Sequence, residues 1–275
     1  SLIVADWNDA KFDENQMADQ HLESLSGRIY RVAPVETSAY VIQPAPFDSA
    51  KDAVMALRSP NLSTRYLAWT QLSAMQSKAL PELLALWQND QPHLRARALH
   101  LLARIKGRSK VFLQEAISDD NAKIRATALR IARSENENVI EMVKSLFNDA
   151  SPLVRRECAI ALRHSKSEEA PSLWALLAMR YDRNDRWYLE ALGIGAQGNE
   201  NVFFEAWLKR VGDDWNTPPG RDIIWRSRSQ STPALLVKLI KDPNTEKSEK
   251  SRYRRALDFI NGPEKDAALL QLLNL

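Results

Sequence analysis

The sequence predicts an all-α superhelical solenoid of stacked helix pairs, preceded by a short β or irregular remnant. Three observations carry this expectation. Between Leu57 and Leu192 the chain repeats every thirty residues: Leu57, Trp87, Ile117, Phe147 and Leu177 are in step, as are Leu72, Leu102, Ala132, Leu162 and Leu192. An arginine keeps the same beat at Arg65, Arg95, Arg125 and Arg155, then slips by one to Arg186. Short polar turns holding Asn or Asp separate the apolar blocks. A fixed period of this length is the signature of a stacked repeat array. Such an array is a surface for holding things and carries no chemistry by default.

The first 46 residues do not follow the repeat. Leu2-Ile3-Val4-Ala5-Asp6-Trp7 and Gly27-Arg28-Ile29-Tyr30-Arg31-Val32 are short, partly alternating runs with β-branched and aromatic residues, the pattern of strands. A polar, acidic segment joins them, and Pro34, Pro44 and Pro46 then read as an extended linker. Residues 1–46 are therefore expected to be a piece of another domain plus linker, and residues 47–275 the repeat domain.

From Ser49 the periodicity becomes helical. The turns Ser59-Pro60-Asn61, Asn89-Asp90-Gln91-Pro92, Ser118-Asp119-Asp120-Asn121 and Asn148-Asp149-Ala150-Ser151-Pro152 supply N-cap residues, with Pro92 and Pro152 at first-turn positions one period apart. The second helices are expected over Arg65–Met75, Leu94–Ile105, Ile124–Arg133, Val154–His164 and Trp187–Ile194. Ala68, Ala98, Ala128 and Cys158 are in step and small enough to let neighbouring helices approach closely. Beyond Gly198 the period is lost, but Val202–Val211, Asp222–Ser229, Ala234–Ile240, Ser251–Ile260 and Lys265–Leu273 read as helices, with Asp213–Gly220 as a loop. The total is six or seven helix pairs.

Composition bounds the function. With 275 residues, 44% hydrophobic and 27% charged, the chain is globular rather than disordered. No run approaches the roughly 18 apolar residues of a membrane span. The start has no basic segment before an apolar core, so no signal peptide is read, and the absence of an initiator Met suggests a mature or excised fragment. The single cysteine, Cys158, excludes an internal disulfide and a Cys-based zinc site, and its apolar neighbours mark it as a buried small residue. Net charge is +3, but residues 1–25 hold six acids against one Lys while residues 221–255 hold ten Lys/Arg against four Asp/Glu. Residues 50–200 hold 22 Lys/Arg against 17 Asp/Glu, an excess too small to argue for nucleic acid.

No catalytic, cofactor-binding or metal-ligating set is expected. The Arg ladder reads either as a row of anion-binding groups or as a structural device reaching Asn or Asp in its own or the neighbouring turn; a residue repeated in a repeat array serves the repeat. Gly193-Ile194-Gly195-Ala196-Gln197-Gly198 matches G-x-G-x-x-G, but the preceding segment is helical where a dinucleotide site needs a strand, so the glycines are read as a helix end and turn. His21, His93, His100 and His164 lack metal-site spacing. The acidic stretch Asp6–Asp19 offers oxygens to calcium without the EF-hand order. The candidate partner-binding residues are Arg186, Trp187, Trp225, Arg226 and Arg228, because aromatics interleaved with arginine form protein hot spots or grip single-stranded nucleic acid. Most of the tryptophans are expected in the core.

Two stretches, Asp185-Arg186-Trp187-Tyr188-Leu189-Glu190-Ala191-Leu192-Gly193-Ile194-Gly195-Ala196 and Asp222-Ile223-Ile224-Trp225-Arg226-Ser227-Arg228, resemble the HEAT-type helical region of the large membrane-bound dehydrogenase or haem-binding protein family of planctomycetes and related bacteria. Leu2–Trp7 and Gly27–Val32 resemble the last blade of the β-propeller that precedes it there. The resemblance implies a HEAT-like, ARM-repeat-like superhelix acting as a non-catalytic scaffold that docks a protein or a neighbouring domain. It also implies a place in an exported, extracytoplasmic redox protein whose dehydrogenase and C-x-x-C-H cytochrome parts lie in other domains. The rival expectation is a HEAT-like nucleic-acid-binding or repair module, which needs a concave basic stripe with exposed Trp and a catalytic carboxylate.

Overall fold

Each polar turn of the repeat folds on itself before it starts a helix. Asn89, Asp119 and Asp149 accept, through Oδ1, the backbone N–H two residues on, at 3.0, 2.8 and 2.8 Å. The chain then enters the second helix of the pair. Asn61 caps the first of these by accepting from the N–H groups of Ser63 and Thr64, and Asn121 caps a later one by accepting from Lys123. Pro92 and Pro152 sit at the first helical position, where the missing N–H is no loss.

The computed structural model describes residues 2–6, 28–32 and 47–273. The helices are α1 Ala50–Ala56, α2 Leu62–Met75, α3 Leu80–Trp87, α4 Pro92–Leu102, α5 Ser109–Ala116, α6 Ala122–Ser134, α7 Ile140–Leu146, α8 Pro152–Ala161, α9 Ala170–Ala178 and α10 Arg186–Gly195. They continue as α11 Glu200–Val211, α12 Pro218–Arg226, α13 Thr232–Lys241, α14 Lys247–Ala256 and α15 Pro263–Leu273. Helices pair in sequence, and the second helices stack in a row, α4 on α6 on α8 on α10 on α12 on α14, while α7, α9 and α11 stack in the other row. The architecture is an all-α solenoid.

The in-step positions build one continuous core. Leu72, Leu102, Ala132, Leu162 and Leu192 are buried, and Ala68, Ala98, Ala128 and Cys158 are fully so, which brings the second helices together. Burial also pushes the Cys158 thiol far above its ordinary range, so it stays protonated and inert.

The thirty-residue beat changes at α10. N-caps fall at Asn61, Gln91, Asn121 and Ser151, and the next falls at Asp185, four residues late. Four residues are about one helical turn, so Leu192 keeps its face and stays in the core. The ladder does not survive the shift. Its place, four residues after the N-cap, is taken by Leu189, and Arg186 is exposed at the start of α10. Pro218-Pro219 also differ from the expected loop: capped by Thr217, whose side chain accepts from Gly220, they open α12.

The chain divides into two units, residues 1–45 and 46–275. In the first, β1 Leu2–Asp6 pairs antiparallel with β2 Arg28–Val32, Leu2 opposite Val32 and Asp6 opposite Arg28. Of the acidic stretch Asp6–Asp19 considered for calcium, Asp6 ends β1 and the rest lies outside the described residues, as do His21 and the Pro34–Pro46 linker.

Candidate functional site

The Arg ladder is structural. Arg65 donates from Nη1 to the carbonyls of Ser59 and Pro60 at 2.8 and 2.9 Å, Arg125 to those of Asp119 and Asp120 at 2.7 and 3.0 Å, and Arg155 to those of Asp149 and Ala150 at 2.6 and 3.0 Å. Each closes its own turn. Arg95 and Arg125 also reach forward one repeat to the carboxylates of Asp119 and Asp149. Of the two expected settings, the arginine's own turn supplies backbone carbonyls and the neighbouring turn supplies the carboxylate. Arg155 ends the row: it is buried, lies over the Tyr188 ring at 5.5 Å, and its Nε has no hydrogen-bond partner among the described residues.

The candidate residues around α10 and α12 separate into three settings. Arg186 and Trp187 are exposed in the first turn of α10, with the Trp187 side chain 68% exposed. Their backbone is fixed by Asp185, which caps Trp187 N–H at 2.9 Å and pairs with Arg156 of α8 at 3.2 Å. One turn on, Glu190 accepts from Arg226 Nε at 2.9 Å, tying α10 to the end of α12. Trp225, next to it, turns to the opposite neighbour and lies beneath the Arg252 guanidinium at 4.1 Å. Trp225 is therefore packed, and Trp187 is free.

Arg226 and Arg228 line a cavity of about 210 Å3 whose floor is Trp174, Leu189, Leu192, Phe204 and Ile223. The glycines of the G-x-G-x-x-G run make room around it. The Arg226 guanidinium occupies the place of a Cβ on Gly193, and the backbone carbonyl of Ala159 does the same at Gly195. Gly193 and Gly195 are thus close-approach positions, Gly193 inside α10 and Gly195 as its last residue, so the run ends the helix and turns as expected. Gly198 alone is the turn residue, at φ +84°. Arg228 Nη1 collects the carbonyls of Trp225, Arg226 and Ser227 at 3.1, 3.1 and 2.8 Å, closing the C-terminus of α12. Its guanidinium lies over Phe259 at 5.0 Å.

Sequence reasoning missed the anchor of this region. Asp222 of α12 is buried and accepts from Tyr181 Oη at 3.2 Å, Arg183 Nε at 2.9 Å and Arg252 Nη1 at 2.7 Å. The signal was a lone acid directly before the apolar run Ile223-Ile224-Trp225, with no acidic neighbour to suggest a solvated face.

Trp87, Trp174 and Trp207 are core residues, while Trp69, Trp215 and Trp225 are half-buried. Among the described residues, no three His, Cys, Asp or Glu side chains are grouped so as to hold a metal ion. No helix among them is long and apolar enough to cross a membrane.

No curated protein matches the chain. The protein family described as HEAT repeats matches residues 51–130 and 109–193, which together span more than half of the sequence. The match covers the regular pairs α1 to α10, where the ladder and the buried in-step residues lie. The chain belongs to the HEAT-repeat family.

Proposed function

We propose that this helical-repeat scaffold is non-catalytic and docks a polypeptide through the exposed face of α10. The observation that carries the reading is Trp187. Its side chain is 68% exposed while those of Trp87, Trp174 and Trp207 are 2–3% exposed, and it stands beside the cationic Arg186 on a helix fixed by Asp185 and Glu190. A rigid aromatic next to arginine is the composition of an interface anchor. Their backbone, already fixed in a packed helix, loses little freedom on binding.

The partner we propose is a neighbouring domain of an exported redox protein of dehydrogenase or cytochrome type, outside the cytoplasm. The support is the resemblance of 185–196 and 222–228 to such proteins. The test is to co-express the chain with the polypeptides encoded on either side of it and measure association by analytical ultracentrifugation. Trp187→Ala is expected to abolish association while leaving the melting temperature unchanged. Unchanged association by Trp187→Ala contradicts the docking face. Flanking sequence without a propeller or a C-x-x-C-H motif contradicts the redox context and leaves the face standing.

A further inference from the structure

We propose that the cavity between α10 and α12 receives a polypeptide C-terminus ending in an apolar residue. The α-carboxylate would sit on Arg226 and Arg228, and the side chain on the floor of Trp174, Leu192 and Phe204. The inference rests on the reading of the chain as a polypeptide-docking scaffold and names the chemistry of what docks.

Size sets the class of occupant. A volume of about 210 Å3 lies below the roughly 300–1,000 Å3 of cofactor and small-molecule pockets. It suits one side chain and the group beside it. The floor is apolar, and the one indole N–H among Trp174, Leu192 and Phe204 already donates to the Leu192 carbonyl at 3.0 Å.

The rim offers donors in excess. Arg226 spends Nε on Glu190, and among the described residues neither of its Nη atoms has a hydrogen-bond acceptor. Arg228 spends Nη1 on three carbonyls, and no carboxylate of the described residues lies within 4 Å of it. The acid that lines the cavity, Glu200, accepts from Gly198 N–H at 3.0 Å through Oε2. Burial, and then the neighbouring charge of Arg226, hold the Arg228 guanidinium below its ordinary pKa. Two guanidinium groups sharing one cavity repel, and a carboxylate bound by both relieves that repulsion while matching their planar forks.

One residue fills both parts only if it carries a carboxylate and an apolar side chain on the same Cα. An internal Asp or Glu has the carboxylate but leaves the floor empty, and an internal Leu has the reverse. A C-terminal apolar residue supplies both. Gly193 fits the same purpose, since any side chain there would displace the Arg226 guanidinium.

The test uses the full chain and the peptide acetyl-Gly-Gly-Ser-Leu, with a free C-terminus or as the carboxamide, in isothermal titration calorimetry. The free acid is expected to bind at least tenfold more tightly than the amide. Gly193→Ala, which shifts Arg226 without removing charge, is expected to weaken the acid at least fivefold and the amide little. Equal affinity of acid and amide overturns the proposal, as does no binding of the acid at millimolar concentration. Inorganic phosphate binding as tightly as the peptide also overturns it, by making this a simple anion site. The comparison of acid with amide needs no variant, so it stands if a substitution fails to fold. A silent peptide together with a partner still lost in Trp187→Ala sinks this inference and leaves the docking face intact.

Discussion

Arg125 grips both carboxylate oxygens of Asp149 across one repeat, Nε to Oδ2 at 2.7 Å and Nη2 to Oδ1 at 2.8 Å, while its Nη1 holds two carbonyls of its own turn. A single side chain therefore fixes a turn and spaces it from the next. Asp149 is only 7% exposed. Burial disfavours its charge, but the Arg125 bonds, the Ser151 N–H and the charge of Arg155 outweigh burial and leave its pKa below the ordinary range. Because the folded-state value is the lower one, the stabilisation is complete above the unfolded value of about 3.9 and is lost as pH falls through the folded one. Asp149→Ala leaves Arg125 half-buried without its partner and is expected to cost about 3 kcal/mol at pH 7. The gap to wild type in urea midpoint should hold steady from pH 5 to 8 and shrink below about pH 4. A gap that is the same at pH 3 and pH 7 would contradict the assignment.

Gly195 and Gly193 lie two residues apart in α10 and predict different outcomes. A Cβ at Gly195 meets the backbone carbonyl of Ala159, which cannot move without moving α8. Gly195→Ala is expected to destabilise by about 1–3 kcal/mol, as overpacking does. A Cβ at Gly193 meets only the guanidinium end of Arg226. Gly193→Ala should cost markedly less, because a long side chain can swing aside. Chemical denaturation of the two variants side by side checks the order, and a larger loss at Gly193 would reverse the argument.

The solenoid was legible because its core is periodic. Buried residues such as Leu72, Leu102, Ala132 and Leu162 recur on one beat, and packing of neighbouring repeats demands that recurrence. The extra turn before α10 was not legible, since inserting four residues keeps apolar residues on the same face and leaves the pattern in phase. For the same reason Arg186 looked like a slipped ladder residue and is instead a free one. The five candidate site residues were chosen by type, which could not separate Trp187 from Trp225. Only packing distinguishes an indole that faces solvent from one beneath Arg252.

Asp222 holds the irregular end of the array together. Its carboxylate joins Tyr181 and Arg183, in the segment between α9 and α10, to Arg252 of α14. The Tyr181 phenol is pushed up to about 12, by burial and then by the Asp222 charge, so it remains a donor across the physiological range. Asp222→Asn keeps the volume but leaves two guanidinium groups facing a neutral amide. The expected loss is about 1–3 kcal/mol, because Arg183 and Arg252 stay 47% and 31% exposed and water takes over part of the lost partner. A melting temperature within a degree of wild type would show that the node is dispensable.

The arginines along the second helices, with Arg104 just past the end of α4, carry a prediction about nucleic acid. Arg104 pairs with Glu135 at 2.6 Å, Arg130 and Arg133 with Glu157 at 2.6 and 3.4 Å, and Arg156 with Asp185 at 3.2 Å. Each carboxylate comes from further along the chain, and three carboxylates offset all but one of the four positive charges. Phosphate contacts would have to displace these carboxylates, and binding to single-stranded oligonucleotides is expected to be weak, with a salt dependence corresponding to one or two phosphates at most. Glu157→Gln releases Arg130 and Arg133 together. It should strengthen oligonucleotide binding and steepen the plot of log K against log salt by about 0.7 for each phosphate newly engaged. A wild-type slope of several phosphates, unchanged in the variant, would instead favour the nucleic-acid reading of this face over docking of a polypeptide.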